Sequence, residues 1–253
     1  MLVAALDTAT LTLSCALVEV GPGAEPELLC DRTDRSVTPG AGPPGGHGAR
    51  LPGALVELLV AVGKTLPDVE AYAIGLGPGS FTGLRIGLAT WKGLAYANRR
   101  PIAGASSLAA MALGAAGGVE DGTVLVPLLD AKKGEVYAGF YRAAGGRVEA
   151  VLPEAALPPA ALLERVAALP AGTAVRAFGE GYEAHAGALG ERLPRLAAGA
   201  ATPHALEVAR LAAARLVERP FDLQALFALE PHYVRLSEAE MKFPKGLGPG
   251  AER

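Results

Sequence analysis

Val124-Leu125-Val126-Pro127-Leu128-Leu129-Asp130-Ala131-Lys132-Lys133-Gly134-Glu135-Val136-Tyr137 repeats the pattern with which the chain begins, Leu2-Val3-Ala4-Ala5-Leu6-Asp7-Thr8-Ala9-Thr10. Each stretch is an apolar strand ended by an aspartate, followed by a short polar turn. After the first turn, Leu11, Leu13, Cys15 and Leu17 alternate with Thr12, Ser14, Ala16 and Val18, which predicts a hairpin. Glu135 to Tyr141 is the matching second strand. The repetition reads as a degenerate internal duplication, with Asp7 and Asp130 in equivalent positions, and predicts two domains of one topology.

Between the two copies, Glu27 to Arg32 reads as a third strand, and residues 36–50, rich in Gly and Pro, as an irregular, mobile loop. Leu51, Ala54, Leu55, Leu58, Leu59 and Val62 follow helical spacing. A strand is expected over 71–76, a helix over 84–97 and a short strand over 101–105. The order β-β-β-α-β-α-β makes an α/β domain with a mixed sheet. A late helix over 205–218 is expected to pack back on the first domain.

Gly77-Pro78-Gly79-Ser80-Phe81-Thr82-Gly83-Leu84-Arg85 joins the 71–76 strand to its helix. Such a turn leaves N–H groups unpaired at a helix start and lets an anion or another chain approach closely. It lacks the Gly-Lys-Ser/Thr of a nucleotide loop, and Thr82 stands where a dinucleotide fingerprint needs its third glycine. An anion site and a tight structural turn both remain open on these residues.

The 253 residues are 51% hydrophobic with a net charge of −3, enough apolar material for a core but no basic footprint for unaided nucleic-acid binding. Cys15 and Cys30 have no metal spacing and read as reduced, buried thiols. No signal peptide is read at the N-terminus, and the uncharged run from Ile102 to Val119 is too rich in Ala, Gly and Ser for a membrane span. A soluble, cytoplasmic protein is expected. Amides are limited to Asn98 and Gln224, which bears on heat lability rather than function.

Asp7 and Asp130 could face one another across a cleft around a metal–nucleotide complex, or each could cap its own turn. His47, His185, His204 and His232 show no metal spacing; His47 reads as a solvated helix start. Ser80 is not in a Gly-x-Ser-x-Gly elbow, and no nucleophile–base pair can be proposed. Lys132 and Lys133 read as a solvated turn. The two long helices of the first domain could keep spare apolar surface for a subunit interface.

Four segments together resemble the TsaB family, also called YeaZ: Ala4-Ala5-Leu6-Asp7-Thr8-Ala9-Thr10, Gly77 through Arg85 with Ile86-Gly87, Asp130 through Tyr137, and Pro231-His232-Tyr233-Val234-Arg235. The resemblance runs from residue 1 to about 236, and Gly77–Gly87 is its most specific part. It implies the actin-like, Hsp70-like ATPase fold with two duplicated ribonuclease-H-like domains. The expected division is 1–105, 106–236 and a disordered tail over 237–253.

The family implies a non-catalytic scaffold in the synthesis of N6-threonylcarbamoyladenosine at position 37 of tRNA. It would bind and activate TsaD, the threonylcarbamoyl transferase, and the ATPase TsaE would join them. The catalytic paralogue carries two metal-binding histidines four residues apart, and Ser107 and Met111 stand at those places here. Serine is a poor ligand and methionine a soft, neutral one, so no metal is expected. The implied partner surface is the helix pair, with Leu51, Leu55, Leu58, Leu59, Val62, Leu88 and Trp91 as its residues. The same pair could make a homodimer of the free protein.

In this fold Asp-containing turns such as Asp7-Thr8 and Asp130-Ala131 lie around phosphates. With Gly77, Gly79, Ser80, Gly83 and Arg85 they form the candidate nucleotide or anion site. The region around Phe178-Gly179-Glu180-Gly181-Tyr182 is a poor adenosine loop, so ATP or ADP is expected at most at the joint surface of the complex. tRNA is expected to be held mainly by the partner. A glycoprotease-like peptidase of the M22 type and an autonomous sugar- or acetate-kinase-like ATPase are the alternatives. The first needs a nucleophile with its base or a metal, the second a working adenosine loop.

Overall fold

The computed structural model describes residues 1–35, 47–190, 192–218 and 220–235. Two sheets carry the chain. The first has the order β3-β2-β1-β4-β5, from β1 (Leu2–Asp7), β2 (Thr12–Glu19), β3 (Glu27–Arg35), β4 (Ala71–Gly75) and β5 (Ile102–Ala105). β1 pairs antiparallel with β2 and parallel with β4. The second sheet has the order β8-β7-β6-β9, from β6 (Val124–Lys132), β7 (Glu135–Ala144), β8 (Arg147–Leu157) and β9 (Val175–Phe178). β6 again pairs antiparallel with the next strand and parallel with the one after the helix. The fifth strand of the second copy survives as a single parallel bridge between Ala177 and Arg195.

β1 is buried along its whole length, because both faces of the first sheet are covered. On one face lie α1 (His47–Ala61) and α2 (Phe81–Asn98) over Leu2, Ala4 and Leu6. On the other lies α7 (Ala205–Glu218), whose Val208, Ala209, Ala212 and Leu216 meet Val3, Ala5, Ala71 and Ala73. Alanine dominates that face, so the late helix comes close to the sheet.

α1 starts at His47 and takes in the last four residues of the expected loop; residues 36–46 lie outside the described residues, as do the expected disordered tail and the side chain of His47. α2 starts at Phe81, three residues earlier than its apolar spacing suggests, because Ser80 caps it by accepting from Gly83 N. It ends at Arg99 in a left-handed conformation (φ 51°) whose neighbour Arg100 N donates to Ala95 O.

α3 (Ser107–Ala116) packs on the second sheet, and its Leu108 and Met111 join Ala9 and Leu84 of the first half with Leu125, Leu129 and Phe178 of the second. This shared cluster puts the Asp7 turn against the core of the other half. α4 (Pro159–Ala167), α5 (Glu180–Ala184) and α6 (Ala186–Leu189) cover the outer face of the second sheet, and α8 (Leu223–Ala228) returns to α2. No helix among the described residues is long and apolar enough to cross a membrane.

Candidate functional site: two aspartate turns, a glycine-rich turn and a helix pair

Asp7 ends β1 fully buried. Its Oδ1 accepts from Ala9 N at 2.8 Å and its Oδ2 from Ser107 Oγ at 2.6 Å. Ser107 Oγ in turn accepts from Gly77 N at 3.1 Å. Burial pushes the Asp7 carboxyl up to about 6, against the lowering by Ser107, Ala9 N and the charge of His204. Asp130 repeats the local part of this arrangement: its Oδ1 accepts from Lys132 N at 2.8 Å and its Oδ2 from Lys132 Nζ at 2.6 Å. Burial raises this carboxyl, but the Lys132 hydrogen bonds and charge outweigh it and leave it below the usual range. Both aspartates therefore cap their own turns, accepting from the backbone N–H two residues ahead.

The glycine-rich turn lies on the Asp7 turn. Ser80 N donates to Ala9 O at 2.6 Å, and a Cβ at Gly79 would collide with that same carbonyl. Gly77 has φ 94°, and its peptide bond to Pro78 is cis. Gly83 N is taken by the Ser80 side chain, and Gly87 lies against Thr8, whose buried Oγ1 has no hydrogen-bond partner. Close backbone approach accounts for Gly79, the positive φ for Gly77 and the Thr8 side chain for Gly87. In the second half, a Cβ at Gly181 would meet the Leu129 backbone carbon at 2.7 Å, so the glycines there serve the packing of α5 on β6.

Ser107 and Met111 are 0% and 1% exposed. Ser107 is committed to Asp7, and Met111 lies among Leu108, Leu125 and Phe178. Among the described residues no group of three or more His, Cys, Asp or Glu side chains is placed to hold a metal ion.

The helix pair requires a correction. Leu51, Leu55, Leu58, Leu59, Leu88 and Trp91 are buried in the first half's own core, and Val62 packs against it. Trp91 Nε1 donates to Ala4 O at 3.0 Å, and its ring meets Tyr72 edge-on at 5.9 Å. These side chains hold the helices to the sheet. Among the described residues the large outward apolar side chains are Val56 and Val60 on α1, 58% and 71% exposed, and Phe81 and Tyr96 on α2, 38% and 56% exposed.

Arg85 is exposed and lies two residues beyond Gly83, in a cluster the sequence does not mark. Its guanidinium lies 3.8 Å from the Phe81 ring centroid, and Nε donates to Tyr233 Oη at 3.0 Å. The Pro231–Arg235 segment then crosses to the second half. His232 N donates to Leu76 O at 2.7 Å, His232 Nε2 lies 3.5 Å from Glu154 Oε2, and Arg235 Nη1 pairs with Glu135 at 3.0 Å. Glu154 also accepts from Ser106 and Tyr141. Burial and the Glu154 charge push the Tyr141 phenol above its usual range. No local pattern around Glu154 marks it, since its partners come from three separate elements.

A protein-family model described as TsaD, tRNA N6-adenosine threonylcarbamoyltransferase, matches residues 45–243. The chain is 35% identical over 167 residues to the tRNA threonylcarbamoyladenosine biosynthesis protein TsaB of Escherichia coli K12, covering 66% of each. It is 35% identical over 108 residues to the protein of that name in Bacillus subtilis 168, covering 43% of this chain and 46% of the relative. These alignments thus span two thirds or less of the relatives' lengths. Among solved structures, YeaZ from Pseudomonas aeruginosa matches with a TM-score of 0.71 and 30% identity, over 92% of this chain and 99% of that one. An uncharacterized Pseudomonas aeruginosa protein described as similar to peptidase YeaZ matches with a TM-score of 0.72 at the same identity and coverage. The duplicated sheets and these matches give the actin-like, ribonuclease-H-like fold.

Proposed function

The chain belongs to the TsaB (YeaZ) family, and from that premise we propose that it is a non-catalytic subunit in tRNA threonylcarbamoyladenosine biosynthesis. It binds and activates the transferase paralogue TsaD, and the ATPase TsaE joins the pair in the cytoplasm. The observation that carries this reading is the Ser107–Asp7 hydrogen bond. At the place where the catalytic paralogue has its first metal ligand, this chain has a hydroxyl spent on a buried carboxylate. One helical turn on, Met111 is sealed in an apolar cluster. A transferring group that depends on a metal has no foothold there.

The outward faces of α1 and α2, with Val56 and Val60, form the surface for the transferase. A second copy of the chain uses the same surface when the partner is absent, so the two compete. ATP or ADP binds only at the joint surface of the complex, because Asp7 and Asp130 are both turned onto their own backbones. tRNA contact falls mainly to the partner, consistent with the net charge of −3.

The peptidase description of a neighbour finds little support in the site. Ser107 is buried on Asp7 rather than on a histidine, and Ser80 caps α2. The deciding experiment is co-elution with the transferase paralogue of the same organism, for wild type and for the double variant Val56→Arg/Val60→Arg. A complex lost in the folded variant supports the scaffold reading. No complex with wild type, in the presence of nucleotide and TsaE, overturns it.

A further inference from the structure

Along the flank of α2 turned toward α8 runs an open groove of about 470 Å³, bounded on its other side by residues 227–233. Its charged lining is Arg85, Lys92 and Glu230. At one end Arg85 is held against Phe81 and Tyr233, whose rings lie 5.3 Å apart and are 38% and 45% exposed. At the other end Phe227, 62% exposed, meets Tyr96 at 6.2 Å. Lys92 Nζ is spent on the Phe227 carbonyl at 3.0 Å, and Glu230 acts on Lys92. Arg85 has no acidic partner among the described residues.

We propose that this groove docks a segment of a partner protein that presents a carboxylate to Arg85 and apolar side chains to Phe227 and Tyr233. An exposed guanidinium normally loses conformational freedom when it binds. Here Phe81 fixes its face and Tyr233 fixes Nε, so both Nη groups are already presented as a fork for a carboxylate. Exposed aromatic rings around an unpaired arginine are the composition of an interface anchor. The charge balance selects the occupant: the chain carries a net charge of −3 and the groove contains Glu230, which disfavours a polyanion such as RNA and suits a single acidic side chain. The tether at His232 N to Leu76 O holds the outer wall in place. This site uses the flank of α2 turned toward α8, whereas Val56 and Val60 of the surface assigned above to the transferase lie on α1.

Fluorescence anisotropy tests it with three labelled probes: a peptide of repeating Glu-Leu-Ser-Phe, its counterpart with Gln for Glu, and oligouridylate. Wild type should bind the Glu peptide at least about tenfold more tightly than the Gln peptide. Arg85→Gln should erase that difference, and Phe227→Ala should weaken both peptides alike. Equal binding of the two peptides to wild type, or binding of neither, overturns the proposal. Displacement of the Glu peptide by oligouridylate overturns it in favour of a nucleic acid. The Val56→Arg/Val60→Arg variant should bind the Glu peptide as wild type does. Loss of transferase binding and loss of peptide binding are thereby read separately.

Discussion

Ser107 Oγ donates to Asp7 Oδ2 across 2.6 Å in a place neither residue shares with solvent. The bond joins the end of the first strand to the first turn of α3, so the two halves of the chain meet on a buried carboxyl group. Its protonation is consequently a property of the fold. Burial raises the folded-state value to about 6, from an ordinary 3.8. The folded state then holds a proton that the unfolded state has released, and stability falls as pH rises from about 4 through about 6. A shift of this size is worth on the order of 3 kcal/mol. Urea denaturation at pH 4.5 and pH 7 should show wild type losing part of this stability. Asp7→Asn, which does not titrate, should lose little over the same window. A wild-type profile as flat as that of the variant would count against a buried, proton-holding Asp7.

Ser107→Ala removes the donor to Asp7 and the acceptor of Gly77 N together. Two buried polar groups are left unpaired, which costs about 2–4 kcal/mol by denaturant unfolding at pH 7. The cost should shrink at pH 4.5, where Asp7 is protonated and needs the hydroxyl less. An equal cost at both pH values would mean that the hydroxyl serves only Gly77.

The strand–aspartate–turn repeat was legible because it is local and carried by period-two alternation, and the two sheets repeat it in pairing as well as in order. β8 was missed, although Gly145-Gly146 supplies the positive φ values of a tight hairpin at 56° and 73°. Its alternation is broken by register shifts against β7 and by Pro153. The residues expected on the partner surface lie in the core for a physical reason. Helical periodicity of leucines marks the stripe a helix buries, so reading α1 by its leucines selects the core face, while Val56 and Val60 lie off that stripe. Arg85 and Tyr233, separated by 148 positions, meet only through the return of the chain to α2, which no local pattern carries.

Two glycines of the first half should respond oppositely to alanine. At Gly79 the added Cβ runs into the Ala9 carbonyl and side chain, so the turn must shift off the Asp7 hairpin. A loss above about 2 kcal/mol is expected. At Gly53, inside α1, nothing lies within 4 Å of the added carbon. Gly53→Ala should raise stability by about 1 kcal/mol. Thermal unfolding of both variants reads the contrast, and tolerance of alanine at Gly79 would reopen the turn as a ligand site.

Leu55 and Val56 are chain neighbours that serve different surfaces. Leu55 is 4% exposed in the core beneath α1, whereas Val56 is 58% exposed on its outer face. Leu55→Ala should cost about 2–4 kcal/mol through the cavity it opens, and Val56→Ala less than about 0.5 kcal/mol. Binding should reverse the order. With both proteins folded, Leu55→Ala should keep its affinity for the transferase paralogue, while Val56→Arg should lose at least about tenfold, because a charge on the outer face would have to be desolvated unpaired. Calorimetric titration of each variant against the transferase measures this. Loss of affinity in Leu55→Ala at a temperature where it remains folded, with Val56→Arg unaffected, would place the contact elsewhere than on the outer face of the helix pair.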